Sequence, residues 1–247
     1  MKVFSLAVGI SLISSMALAD VTLWGRRVAV GEGTVRTYAK VDCNEKPLAL
    51  GIALSGSALQ GLPSEKHEYD YLLPMPEGLH LPPYEHVMIN WNPHGHDPVE
   101  IYGASHFDFH FYTISNRDRK KITCMDQDEA KCMNVPSSEY LPPFYAPTPA
   151  GVPQMGWHWF DTRSPEFNGH PFTSTLIYGF YNAKIAFIEP MITRDFLLQH
   201  PSFSAEIPLP QKVNKTGYYP RRYTMKYDSA RDLVMIELKH FKKMRRH

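Results

Sequence analysis

The chain has 247 residues, with 26 Lys and Arg against 25 Asp and Glu, 13% aromatics, 21 prolines and three cysteines. A net charge of +1 excludes the broad basic field that nucleic acid requires. The length is enough to bury one sizeable core, and no stretch beyond the N-terminal segment is long and apolar enough for a transmembrane helix.

In chain order, the first element is an export signal. Lys2 precedes an uncharged apolar run, Val3 to Met16, and Ala17-Leu18-Ala19 is a small-x-small cleavage site before Asp20. This is the layout of a secretory signal peptide over residues 1–19. The expected mature chain is a single β-rich domain, residues 20–247, in the periplasm or outside the cell.

Gly31-Glu32-Gly33 reads as the turn of a hairpin. It leads into Val35, Thr37, Ala39 and Val41, which alternate with their neighbours. Leu48 to Leu54 is a second apolar run. Ser55 to Gly61 reads as one helical turn with Ser55 as cap. His86 to Trp91 and His106 to Thr113 are strand candidates, and Asn116 to Lys121 is expected as an exposed turn. From Pro136 to Pro153 the prolines are dense enough to exclude regular helix or inner strand, so a long ordered surface loop is expected there. Thr173–Phe180 with Lys184–Glu189, and Arg222–Tyr227 with Leu233–Leu238, read as two hairpins. Thr193 caps a short helix between them. Many short strands without strand–helix alternation predict a mainly β fold, an antiparallel sandwich or barrel with a few short helices.

Export implies an oxidising compartment. Cys124 and Cys132 are therefore expected to pair, with Cys43 left either buried or joined to another chain. The basic tail from Lys239 to Arg246 reads as a solvated terminus.

The chemistry concentrates in histidines. Pro93-His94-Gly95-His96-Asp97-Pro98 is followed by His106-Phe107-Asp108-Phe109-His110-Phe111-Tyr112, by His158 within Gly156-Trp157-His158-Trp159, and by Glu189 before Pro190. On a strand, His106, Asp108, His110 and Tyr112 share one face, and Phe107, Phe109 and Phe111 share the other. Residues four apart on a strand stand about 13 Å apart, so His106 and His110 do not meet on one ion without a bulge. His106 with Asp108, or Asp108 with His110, is the natural pair. The expected metal ligands are His94, His96, His106, Asp108, His110, His158 and Glu189. Imidazole with carboxylate suits a divalent ion, with Zn first and Fe, Mn or Ni as alternatives. The competing reading is a hydrogen-bonded structural cluster.

The same motifs resemble an uncharacterised family of exported, mostly bacterial proteins, first described structurally from a thermophile gene under an extracytoplasmic sigma factor. Ala58-Leu59-x-Gly61-Leu62-Pro63, Met155 to Trp159 and Glu189-Pro190-Met191-Ile192-Thr193 extend the resemblance, which runs from Lys46 to Leu198. It implies a sheet-dominated exported protein and a ring-like homo-oligomer, and it implies no reaction. Cys124 and Cys132 depart from the family, whose corresponding segment is usually cysteine-free. His94-x-His96-x-x-x-Glu100 mimics a cupin metal motif, but its second half is lacking.

Three functional expectations follow. The first is an exported metal-binding protein. The second is a metal-dependent hydrolase or lyase. The third is a metal-free envelope protein that uses the aromatic, proline-rich segment as its contact surface.

Overall fold

A computed structural model describes residues 20–247; residues 1–19, where the export signal is expected, lie outside the described residues. The strands in chain order are β1 (Val21–Trp24), β2 (Val28–Val30), β3 (Gly33–Val41), β4 (Pro47–Ser55), β5 (Tyr69–Leu73), β6 (His86–Asn92), β7 (His106–Tyr112) and β8 (Tyr145–Val152). They continue with β9 (Gly156–Asp161), β10 (Ser174–Tyr181), β11 (Lys184–Thr193), β12 (Phe203–Glu206), β13 (Gly217–Tyr219), β14 (Arg222–Asp228), β15 (Leu233–Lys239) and β16 (Lys242–Met244). Four one-turn helices intervene: α1 (Val99–Tyr102), α2 (Asn116–Arg119), α3 (Glu129–Cys132) and α4 (Arg194–Leu198).

Two seven-stranded antiparallel sheets form an open sandwich. The first has the order β1-β3-β4-β15-β14-β12, with β2 also on β3; the second has the order β5-β6-β7-β11-β10-β9-β8. β13 and β16 make a separate ribbon. Alternation explains the layering. Leu50, Ile52 and Leu54 of the first sheet and Val87, Ile89, Phe107, Phe109 and Phe111 of the second join one core with almost no exposure. Each such side chain contributes roughly 1.5–3 kcal/mol by leaving water.

The outer face of the second sheet is also covered. Met88, Tyr112, Phe187 and Met191 form a smaller cluster with Tyr102 and Phe172. Tyr102 meets Phe172 edge-on at 5.0 Å and Phe167 at 6.4 Å. All of the residues expected to bind metal except His94 lie on or against this covered face.

Several expected elements appear as read. The hairpins at β2–β3, β10–β11 and β14–β15 are antiparallel pairs. Thr193 caps α4, its hydroxyl accepting from the Phe196 amide at 3.3 Å. Cys124 and Cys132 form a disulfide. Three elements differ. Ser55 precedes a 3-10 turn over Gly56–Leu59, but its hydroxyl accepts from the Thr34 amide and caps nothing. Asn116–Arg119 is helical because Ser115 caps it, and Arg119 is buried with its guanidinium 5.7 Å from the Tyr112 ring. The end of the proline-rich segment is β8, a strand at the sheet edge, where the missing N–H groups of Pro147 and Pro149 break no inner ladder. Cys43 is exposed and unpaired, which removes the buried alternative.

Candidate metal centres

The seven nominated residues do not converge on one point. Six of them form two groups of three, each with its potential ligand atoms within 4.8 Å of one another: His96, His106 and Asp108 in one, and His110, His158 and Glu189 in the other. The seventh, His94, is exposed, and its Nε2 lies 2.9 Å from the Ser64 carbonyl oxygen.

Strand geometry produces the split. His106, Asp108 and His110 stand in a row on the outer face of β7, and the row is longer than one coordination sphere. Each end recruits from a different neighbour. At the first end, Gly95 turns the chain with a φ of +65°, a conformation that suits glycine. The His96 amide then donates to the Tyr102 carbonyl at 3.2 Å, which folds His96 over the sheet. At the second end, β11 pairs Ile188 with Phe111 and Met191 with Asp108, so Glu189 falls opposite His110. The ladder has a gap there, because Pro190 has no N–H to donate. His158 arrives from β9, two strands from β11, where it pairs with Gly179 of β10.

In the first group, His106 Nε2 is 3.2 Å from Asp108 Oδ1, and His96 Nε2 is 3.8 Å from Asp108 Oδ2. Backbone carbonyls hold the opposite nitrogen of each ring. His106 Nδ1 is 2.7 Å from the Ala104 oxygen, and His96 Nδ1 is 2.9 Å from the Asp97 oxygen. A carbonyl only accepts, so Nδ1 carries the hydrogen and Nε2 faces Asp108. Asn92 donates to Asp108 Oδ2 at 2.7 Å. Burial opposes the Asp108 carboxylate, but the facing His106 imidazole outweighs it and holds the carboxyl below its usual range. Burial likewise lowers His106, and Asp108 more than offsets it, so His106 is raised. The close approach of His106 to Asp108 thus favours the charged form of each.

The second group has the opposite electrostatics. His110 Nε2 is 3.5 Å and His158 Nε2 is 3.7 Å from Glu189 Oε2. Burial pushes His110 down to about 3 and His158 down to about 4. Burial, reinforced by the charges of Asp108 and Glu68, pushes Glu189 well up. At neutral pH both imidazoles are uncharged, and burial disfavours the charged form of Glu189.

Several residues that serve the site were not nominated. Asn90, fully buried on β6, donates to Glu68 at 2.9 Å and to Asp70 at 2.6 Å. Burial, Asp108 and Asp70 together raise the Glu68 carboxyl. The alternation used for β7 would have found the asparagines, since His86, Met88, Asn90 and Asn92 alternate with Val87, Ile89 and Trp91. His86 stacks on Tyr112 at 4.6 Å, and Tyr112 stacks on His110 at 5.4 Å, which carries the row from β7 onto β6.

Residues 42–91 match a family model described as TTHB210-like, hypothetical protein TTHB210. The match is similarity over one stretch, which takes in Glu68, Asp70 and Asn90 and ends before His94. No curated protein and no solved structure matches the chain significantly.

Proposed function

We propose that this is an exported protein that binds a divalent transition-metal ion through His96, His106 and Asp108. The observation that carries the reading is the orientation of the two imidazoles. Both direct Nε2 at Asp108 while a backbone carbonyl holds Nδ1. Metal-ligating histidines are held this way, with the second nitrogen fixing tautomer and ring angle. Spacing supports it too. Two ligands on a tetrahedral ion at 2.0–2.1 Å stand about 3.3–3.4 Å apart, against 3.2 and 3.8 Å here. Zn is the first choice of ion for this donor set.

Three protein ligands leave a coordination position for water or substrate, and the His96 side chain is 38% exposed. That opening favours a second reading, a metal-dependent hydrolase or lyase in which the ion supplies Lewis acidity. Asp108, His96 and His106 would then orient the ion, and the exposed side would admit substrate.

The disulfide supports export, since such bonds persist in oxidising compartments. Residues 20–247 form one domain in this reading because a single core runs through both sheets, and the homo-oligomer implied by the resemblance belongs to the same proposal. Elemental analysis of the protein purified from its export compartment tests the metal. Wild type is expected to carry the ion, and H106A and D108N to lose it while staying folded by circular dichroism. Wild type without metal sinks the reading. N-terminal sequencing of the same sample should start at Asp20, and a mature chain that starts at Met1 refutes cleavage.

A further inference from the structure

We infer that His110, His158 and Glu189 hold a second metal ion, so that one sheet face carries two separate ions in a row. The inference uses other side chains than the proposed first site and does not depend on it.

The first support is unpartnered polar atoms. His110 Nδ1 and Nε2, His158 Nδ1 and Glu189 Oε2 are all buried without a hydrogen-bond partner among the described residues. His110 has no exposed surface and Glu189 only 1%. Each buried polar atom left unmade costs about 1–3 kcal/mol. A structural polar cluster would align its donors with its acceptors and recover that energy. Here the side chains point at one another at 3.5 and 3.7 Å without an aligned hydrogen bond. Those separations suit ligands of a common ion, which stand about 3.3–3.4 Å apart in tetrahedral zinc.

The second support is that the rings are held from behind. Phe187 packs edge-on against His110 at 4.7 Å and against His158 at 5.1 Å. That wedge fixes both imidazoles while contributing no donor of its own. Two imidazoles and one carboxylate suit Zn or Fe(II). The two sites differ in access. The first is open at His96, whereas the second is enclosed by Phe187 and its apolar neighbours, with only 14% of the His158 side chain exposed. The second ion should therefore exchange more slowly.

The test uses the full mature chain, stripped with a chelator, reloaded with Zn and counted by elemental analysis; Co loading adds a ligand-field spectrum for each site. Two ions per chain are expected, released to a chelator in a fast and a slow phase. H158A and the isosteric E189Q should each drop the count to one and abolish the slow phase. H106A should abolish the fast phase alone. A wild type that binds one ion, lost in H106A, overturns the inference and leaves the first site standing. Two ions that survive both H158A and E189Q also overturn it. One ion lost in E189Q but kept in H106A upholds this site and removes the first. No ion at all removes both.

Discussion

Gly179 shows how much of the second histidine group rests on an absent side chain. A Cβ there would fall 2.0 Å from a carbon of the Phe187 ring, the ring that wedges His110 and His158. G179A must therefore displace Phe187. Overpacking of this kind costs about 1–3 kcal/mol, and both imidazoles should lose their positions with it. Urea unfolding should show the loss, and G179A/F187L, which trims the ring, should recover most of it. Unchanged stability in G179A would mean that Phe187 moves freely and is no wedge. The sequence hinted at this only faintly. A glycine within a strand announces a close approach, but the partner, Phe187, lies across a hairpin. The histidines were legible because their residue type declares their chemistry, whereas the support of Gly179 and Phe187 is a matter of shape.

At the scale of the strand, period-two alternation was the informative signal. It placed His106, Asp108 and His110 on one face of β7 and the phenylalanines on the other. It also set the 13 Å limit that the two separate groups obey. It could not say which neighbours would flank β7, because partner choice is a long-range matter. So the sequence assigns neither Glu189 nor His158 to an end of the row, and it does not choose between His94 and His96, which Gly95 turns apart. β15 offers another buried carboxylate and a test of the electrostatics. Glu237 has no exposed side-chain surface and lies 2.9 Å from Lys40, 3.4 Å from Lys239 and 3.5 Å from Lys226. Burial alone would raise its carboxyl, but the hydrogen bond and charge of Lys40, with Lys239, hold it at about 2 instead of 4.5. A depressed carboxyl contributes stability above its unfolded value and loses it as pH falls toward the folded one. The window is therefore from about 4.5 down to about 2. The lysines are 30–46% exposed, which trims the contribution to roughly 1–3 kcal/mol. E237Q should lower stability by that amount at neutral pH and lose less than wild type when acidified through the window. Parallel acid limbs in urea titrations would place the stabilising charge elsewhere.

Across the whole molecule, the two faces of the second sheet do different work. The inner face, with Phe107, Phe109 and Phe111, is bound into the main core. The outer face carries ionisable groups under a lid made from α1 and Phe172, whose apolar cluster is much smaller. Burying His106, Asp108, His110 and Glu189 there sets unpaired polar atoms against few apolar contacts. Binding an ion to the folded state alone stabilises it through mass action. At a hundredfold excess over Kd the gain is about 2.7 kcal/mol per site, and for a chain of this size each kcal/mol moves Tm by roughly 2–4 °C. Zinc added to the stripped chain should therefore raise Tm by about 5–11 °C through one site and about twice that through two. H106A and H158A should each remove one increment, and H106A/H158A should remove both while melting cooperatively. The increments come from groups on the outer face, so the stripped protein should keep its inner core and its far-ultraviolet circular dichroism. A zinc shift that persists in the double variant would locate the binding at other histidines, His94 or the C-terminal His240 and His247 among them, and would leave the buried row a purely structural one.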